Sequence, residues 1–247
     1  MTDIGMMTWD AVGDRLKAGA AALLPIGAGA KEHGLHLPMN TDQLQAEWLA
    51  ARIAEQSDVL VWPTLSYGHY PAFVNYAGSC SLSAETFERV VRELVEGLLG
   101  FGARAALVLD TGVSTLRPVA QALAPLEARG AHHLKVHDGP RYRAAMQRLG
   151  EQAYGSHADE FETARMLAMA PEHVDMARAE ASPADATFVF HEGPMAPHDP
   201  NAPNYSRSGS FGDPTLATRE KGEVLLKAMV EDVLEMVAQT LGEQPGQ

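Results

Sequence analysis

Within twelve residues, Lys31-Glu32-His33-Gly34-Leu35-His36-Leu37-Pro38-Met39-Asn40-Thr41-Asp42, the chain sets two histidines, two carboxylates and a lysine. Imidazole nitrogen and carboxylate oxygen that converge on one point suit a zinc-type or manganese-type divalent ion, with one position left open for water. A second cluster, Ser156-His157-Ala158-Asp159-Glu160-Phe161-Glu162-Thr163, carries the same chemistry. With Ser156 as N-cap, the spacing puts His157 and Glu160 (i and i+3) on one side of a first helical turn, and points Asp159 and Glu162 elsewhere. Either cluster alone is as well explained by solvated charge, Glu160 being favoured at a helix N-terminus by the dipole. Two such clusters in one chain, each at a sheet end, favour a site. His132, His133, His137, His173 and His198 lack carboxylates at useful spacing and are assigned no chemistry.

The elements that would position these groups alternate regularly. Ala20 to Ile26 is an apolar run that reads as a buried strand, ending where the first cluster begins. A helix follows from Thr41 or Asp42 to about Gln56, then a second strand over 58–63. The loop after it holds His69 and Tyr70, and its aromatic, Gly- and Pro-containing composition suits a pocket wall. Ser83 caps a helix running to Gly100, with Phe87, Val90, Val91, Leu94, Leu98 and Phe101 inside. A third strand over 103–109 ends in Asp110, which either reaches the site or caps the next turn, and Ser114 lies beyond it. A helix over 115–129, a strand over 132–136 and a helix over 142–149 continue the pattern, after a short opening helix over 8–18 with Trp9, Val12 and Leu16 on one face. This alternation predicts a three-layer α/β/α sandwich on a mainly parallel central sheet, in one domain over 1–247. Residues 182–214, rich in Pro, Gly, Asn, Asp and Ser, read as a lid or subunit contact with one short strand at 188–190; a helix over 215–241 closes the chain.

Composition narrows the function. The net charge of −13 and the absence of a basic cluster argue against nucleic acid or an anionic membrane as partner. No run of 18 apolar residues and no basic-then-apolar leader is visible, so a cytoplasmic protein is the expectation. The single cysteine, Cys80, excludes an intrachain disulfide, and neither it nor Ser114 sits in a Gly-x-Ser-x-Gly nucleophile turn.

Several segments resemble the creatininase (creatinine amidohydrolase) family. Pro25-Ile26-Gly27, Glu32-His33-Gly34-Leu35-His36-Leu37-Pro38 and Thr41-Asp42 resemble its opening motif, Pro-x-Gly, Glu-Gln-His-Gly-Pro-His-Leu-Pro and Thr-Asp. Tyr67-Gly68, Gly78-Ser79, Ser81-Leu82, Gly102, His157-Ala158-Asp159-Glu160 with Glu162-Thr163, Gly212-Asp213-Pro214, Ala217-Thr218 and Lys221-Gly222 follow in family order. The resemblance implies a three-layer α/β fold, assembly into a homo-oligomer with a hexamer as one candidate, and hydrolysis of a non-peptide C–N bond in a cyclic amide or formamide by metal-activated water. It implies His33, Asp42 and Glu160 as ligands and His157 as a proton-handling group at the scissile bond.

Two departures stand out. Ungapped register puts Lys31 where the family has a ligand Glu, and Gly112 where it has a ligand His in Asn-Gly-His-Gly-Gly-Asn. A one-residue shift would instead restore Glu32 as ligand. The expectation is therefore a small-molecule amidohydrolase with one ion per subunit, Zn²⁺ first and Mn²⁺ second. His33, Asp42 and Glu160 hold it, with Glu32 as fourth ligand; His157 and Glu32 handle the proton, and His36, His69, Tyr70, Asp110 and Ser114 face the substrate. The alternative is a relative that keeps the scaffold for binding or assembly with the hydrolytic site altered.

Overall fold

Side chains on a strand alternate between faces, and β1 (Ala21–Ile26) is buried on both. Ala21 and Leu23 join one core with Leu49 and Ile53 of α2 (Thr41–Gln56), Tyr142 of α5 (Pro140–Leu149), and Leu225, Met229 and Val233 of α7 (Arg219–Leu241). Ala22, Leu24 and Ile26 join the other with Phe87 and Val91 of α3 (Ala84–Gly100) and Val119 of α4 (Leu116–Leu123). The result, in a computed structural model that describes residues 2–182 and 193–242, is a parallel sheet between two helical layers. Its strand order is β2-β1-β3-β4, with β2 at Val59–Val61, β3 at Ala106–Asp110 and β4 at Ala131–Lys135. Ile26 pairs with Asp110, and Asp110 with Lys135, so the carboxyl ends of three strands lie level. Ligand sites in open parallel sheets form outside such ends.

Element boundaries follow local chemistry. Ser83 caps α3 by accepting from the Thr86 amide. The helix expected over 115–129 stops at Leu123, and a 3₁₀ turn, Ala124–Arg129, takes over at Pro125, which has no amide to continue the ladder. α1 (Trp9–Lys17) leaves Trp9 87% exposed, and Phe101 past the end of α3 is 74% exposed, so neither joins the core expected of it. α6 begins at Glu160 and ends at Met169. Residues 193–214 pack back through bridges from Phe211 to His157 and from Gly212 to Ser182. The strand expected at 188–190 lies outside the described residues. Among the described residues no helix is long and apolar enough to cross a membrane.

Candidate metal centre

The loop leaving β1 turns its charged groups inward. Gly34, at φ +73°, takes a left-handed turn that brings its amide onto the Glu32 carboxylate. His33 is 1% exposed; its Nδ1–H donates to the Lys31 carbonyl at 2.9 Å, and its Nε2 faces Asp42 Oδ1 at 3.1 Å. Asp42 sits in the first turn of α2, and its other oxygen holds the Lys31 ammonium at 2.6 Å. Lys31 also stands over the Phe73 ring, 5.1 Å from its centroid.

The second segment arrives differently from the sequence expectation. The N-cap of α6 is Asp159, which accepts from the amides of Phe161 and Glu162. His157 therefore precedes the helix, and Ala158 between them adopts φ +45°, a conformation costly for a residue with a Cβ. That bend aims the Ala158 amide at Glu162 Oε2 (2.8 Å) and sets His157 Nδ1 3.8 Å from the same oxygen. His157 Nε2–H donates to the Glu32 carbonyl at 2.9 Å and faces Glu32 Oε2 at 3.2 Å. Gln45 and Arg165 flank the other Glu162 oxygen at 3.2 and 3.9 Å.

His33, His157 and Glu162 thus converge: one ligand atom from each lies within 4.8 Å of the others. Glu162 replaces Glu160 in this cluster. Because the helix starts at Glu160 rather than Ser156, the i, i+3 argument does not hold. The Glu160 carboxylate, fully buried, turns to the amides of Glu151 (2.9 Å) and Gln152 (2.8 Å) and to the Lys221 ammonium (2.5 Å). It therefore lies outside the His33–His157–Glu162 group. Asp159-x-x-Glu162 is a capping-box spacing, and this was the signal in the sequence that pointed to the true start.

The remaining candidates divide. His36 donates or accepts at Thr163 Oγ1 (2.8 Å) behind the cluster. His69 Nδ1–H is spent on the Leu82 carbonyl at 3.0 Å. Tyr70 is buried beside Ala28 and Phe73. Asp110 accepts from Thr115 Oγ1 (2.7 Å) and the Gly112 amide (3.0 Å) and faces His133 Nε2 at 3.3 Å, so it caps the turn. Ser114 is exposed on the cavity wall. A Cβ on Gly112 would lie 2.3 Å from Thr115 Oγ1, so the turn closes where a ligand side chain would project.

Electrostatics keep the cluster charged. Burial opposes ionisation of Glu162, yet the His33 and His157 rings and the Lys31 ammonium outweigh it, against Asp42, and hold its carboxyl at about 2. Burial opposes Asp42 likewise; Lys31 and His33 overcome it and keep its carboxyl well below the usual range. For Lys31 burial would lower the ammonium, but Asp42, Glu162 and Glu32 raise it. Burial dominates at His36 and pulls it down to about 4.

The donor set fits a divalent ion. Two imidazoles and one Glu carboxylate are a known catalytic zinc set. Each ring has its other N–H held by a backbone carbonyl or carboxylate, which fixes the tautomer as metal-binding histidines require. His33 Nε2 and Asp42 Oδ1 also face each other across a gap that a cation would satisfy. A cavity of about 460 Å³ opens over this floor, walled by Lys31, Phe73, His157, Glu162, Ser114 and Arg143.

Fold and site together define an α/β protein with a buried histidine–carboxylate centre at the carboxyl end of a parallel sheet. The sequence profile of the family described as creatinine amidohydrolase matches residues 5–237, and the chain belongs to this creatininase family. Its relatives include the creatinine amidohydrolase of Pseudomonas putida, 29% identical over 95% of both chains. A mycofactocin precursor peptide peptidase of Mycobacterium ulcerans is 26% identical over 87% of this chain and 84% of its own. Among solved structures, a creatininase in a manganese form is 26% identical with a TM-score of 0.82, over 97% and 98% of the two chains. A creatininase variant of the zinc–zinc type is 25% identical with a TM-score of 0.83, over the same shares.

Proposed function

We propose that this protein is a metal-dependent amidohydrolase that cleaves a non-peptide C–N bond, of the cyclic amide or formamide type, in a small-molecule substrate. The observation that carries it is the convergence of His33, His157 and Glu162 with both rings oriented from behind. These three would hold one ion, Zn²⁺ first and Mn²⁺ second, with Asp42 alongside. When bound, that ion supplies Lewis acidity and lowers the pKa of its water from ~15.7 towards ~7.

The protein's own groups do the rest. Glu32 accepts the His157 Nε2 proton, fixing the ring and leaving Nδ1 turned towards Glu162. Asp42 and Glu162 stay ionised, so they act as acceptors and not as acids. Phe73, Met195 and Phe211 give the cavity apolar walls that limit water around the scissile bond. A cavity of about 460 Å³ suits a small molecule. The peptidase relatives keep a peptide bond among the substrates to assay. Homo-oligomeric assembly, up to a hexamer, and a cytoplasmic location belong to the same reading and rest on the family resemblance.

A second reading, a binding or assembly protein with an altered site, is favoured by the Lys31–Asp42 ion pair and the closed Gly112 turn. Chelator-treated protein, reloaded with Zn²⁺ or Mn²⁺ and assayed on lactams, formamides and a short peptide, separates the two. Turnover that returns with metal and is abolished in His33→Ala supports the hydrolase. A protein that binds no divalent ion, with stability unchanged by chelator, refutes it.

A further inference from the structure

Lys31 has a use that the ligand set leaves open. Its side chain is 8% exposed and its partner Asp42 4%, so the pair is buried at the cavity floor. Among the described residues Asp42 is the only oxygen partner of Nζ, and an ammonium carries three N–H bonds. Nζ stands over the Phe73 face, and Lys31 lines the cavity. Asp42 is clasped from both sides, by Lys31 at Oδ2 and His33 at Oδ1.

Charge balance says what this does. Around the His33–His157–Glu162 cluster, the carboxylates of Glu32, Asp42, Asp159 and Glu162 face two fixed cations, Lys31 and Arg165. Two carboxylates are left unmatched. A single divalent ion matches them; a second would add two positive charges with no carboxylate to meet them.

We infer that the Lys31 ammonium is the resident second cation of this centre. It fills the side of Asp42 that a second divalent ion would need, and it offers its free N–H bonds to the carbonyl oxygen of the substrate. The wild-type centre therefore takes one ion and no more. The inference rests on the metal-dependent reading, but its test fails separately.

Metal content is measured by mass spectrometry after equilibrium dialysis against Zn²⁺, and again against Mn²⁺, for wild type, Lys31→Glu and Lys31→Met. Wild type is expected to hold one ion per chain and Lys31→Glu two. Lys31→Met, which frees Asp42 without adding a ligand, is expected to bind Mn²⁺ at least tenfold tighter at an added position. Two ions in wild type, or one in every folded variant, overturns the inference while leaving metal dependence intact. None in wild type but one in Lys31→Glu sinks the hydrolytic ion and supports the role of Lys31. The carbonyl contact is read by isotope-edited infrared spectroscopy of bound 2-pyrrolidone. Its C=O stretch is expected to fall in wild type relative to Lys31→Met; equal frequencies overturn that part.

Discussion

Glu160 and Glu162 are two residues apart, and exchanging each for glutamine tests the geometry of the whole centre. Glu160 is fully buried and binds two amides and the Lys221 ammonium. Removing one partner of a buried ion pair costs roughly 3–5 kcal/mol. Lys221 keeps Glu151 as a second partner at 2.5 Å, so Glu160→Gln falls at the low end, about 3 kcal/mol. For a chain of this size that lowers Tm by roughly 6–12 °C. Zn²⁺ affinity of the folded protein should stay within about twofold, because Glu160 does not reach the cluster. In Glu162→Gln the amide oxygen still accepts from Ala158, but the NH₂ group then faces Gln45 and Arg165, so stability also falls, by roughly 3 kcal/mol, and zinc affinity is the readout that separates the two variants. Losing a direct ligand should lower Zn²⁺ affinity by more than the ~10–100-fold that outer partners cost. Thermal melts and competitive Zn²⁺ titration measure both. If Glu160→Gln loses zinc without losing stability, or Glu162→Gln keeps its zinc, the placement of α6 is wrong.

Three further outcomes follow from named contacts. Glu32→Gln weakens the support of His157 and should reduce Zn²⁺ affinity by ~10–100-fold with little change in fold, read by the same titration. Gly209→Ala should destabilise by ~1–3 kcal/mol in urea unfolding and also weaken metal binding, since the backbone has φ +88° and a Cβ would meet the Glu32 carboxylate at 2.1 Å. Burial depresses His36 from its ordinary 6.5 to about 4, so the unfolded chain binds a proton that the fold rejects. The stability contribution of a neutral His36 is thus full above pH 6.5 and drains away as pH falls to about 4, by about 3 kcal/mol. Unfolding free energies at pH 7, 5.5 and 4 should show this slope, and His36→Gln should flatten it.

Much of the frame was legible in the residues. Apolar runs marked β1 and β3, the Ser83 cap marked the start of α3, and the dense Lys31–Asp42 loop fell at the end of β1 as open sheets demand. What stayed hidden depended on one boundary. Ser156 and Asp159 are both N-cap residue types; the Asp159-x-x-Glu162 spacing favours the second, and the backbone bend at Ala158 is what makes it the start. That choice exchanged Glu160 for Glu162. Periodicity likewise counted Trp9, Leu94 and Phe101 as core, although all three are exposed. Asp110 carried two readings, and the Thr115 hydroxyl resolves it as a cap. Register put Lys31 where the family has a ligand Glu, but its burial, its ion pair with Asp42 and the closing of Gly112 needed three dimensions.

The central claim is a single-ion centre built on His33, His157 and Glu162. Crystals grown with Zn²⁺ and measured above and below the zinc absorption edge test it most directly. One anomalous peak within bonding distance of those three side chains, with Lys31 still on Asp42, is the predicted result. Two peaks astride Asp42, a peak at Glu160, or none at all would contradict it.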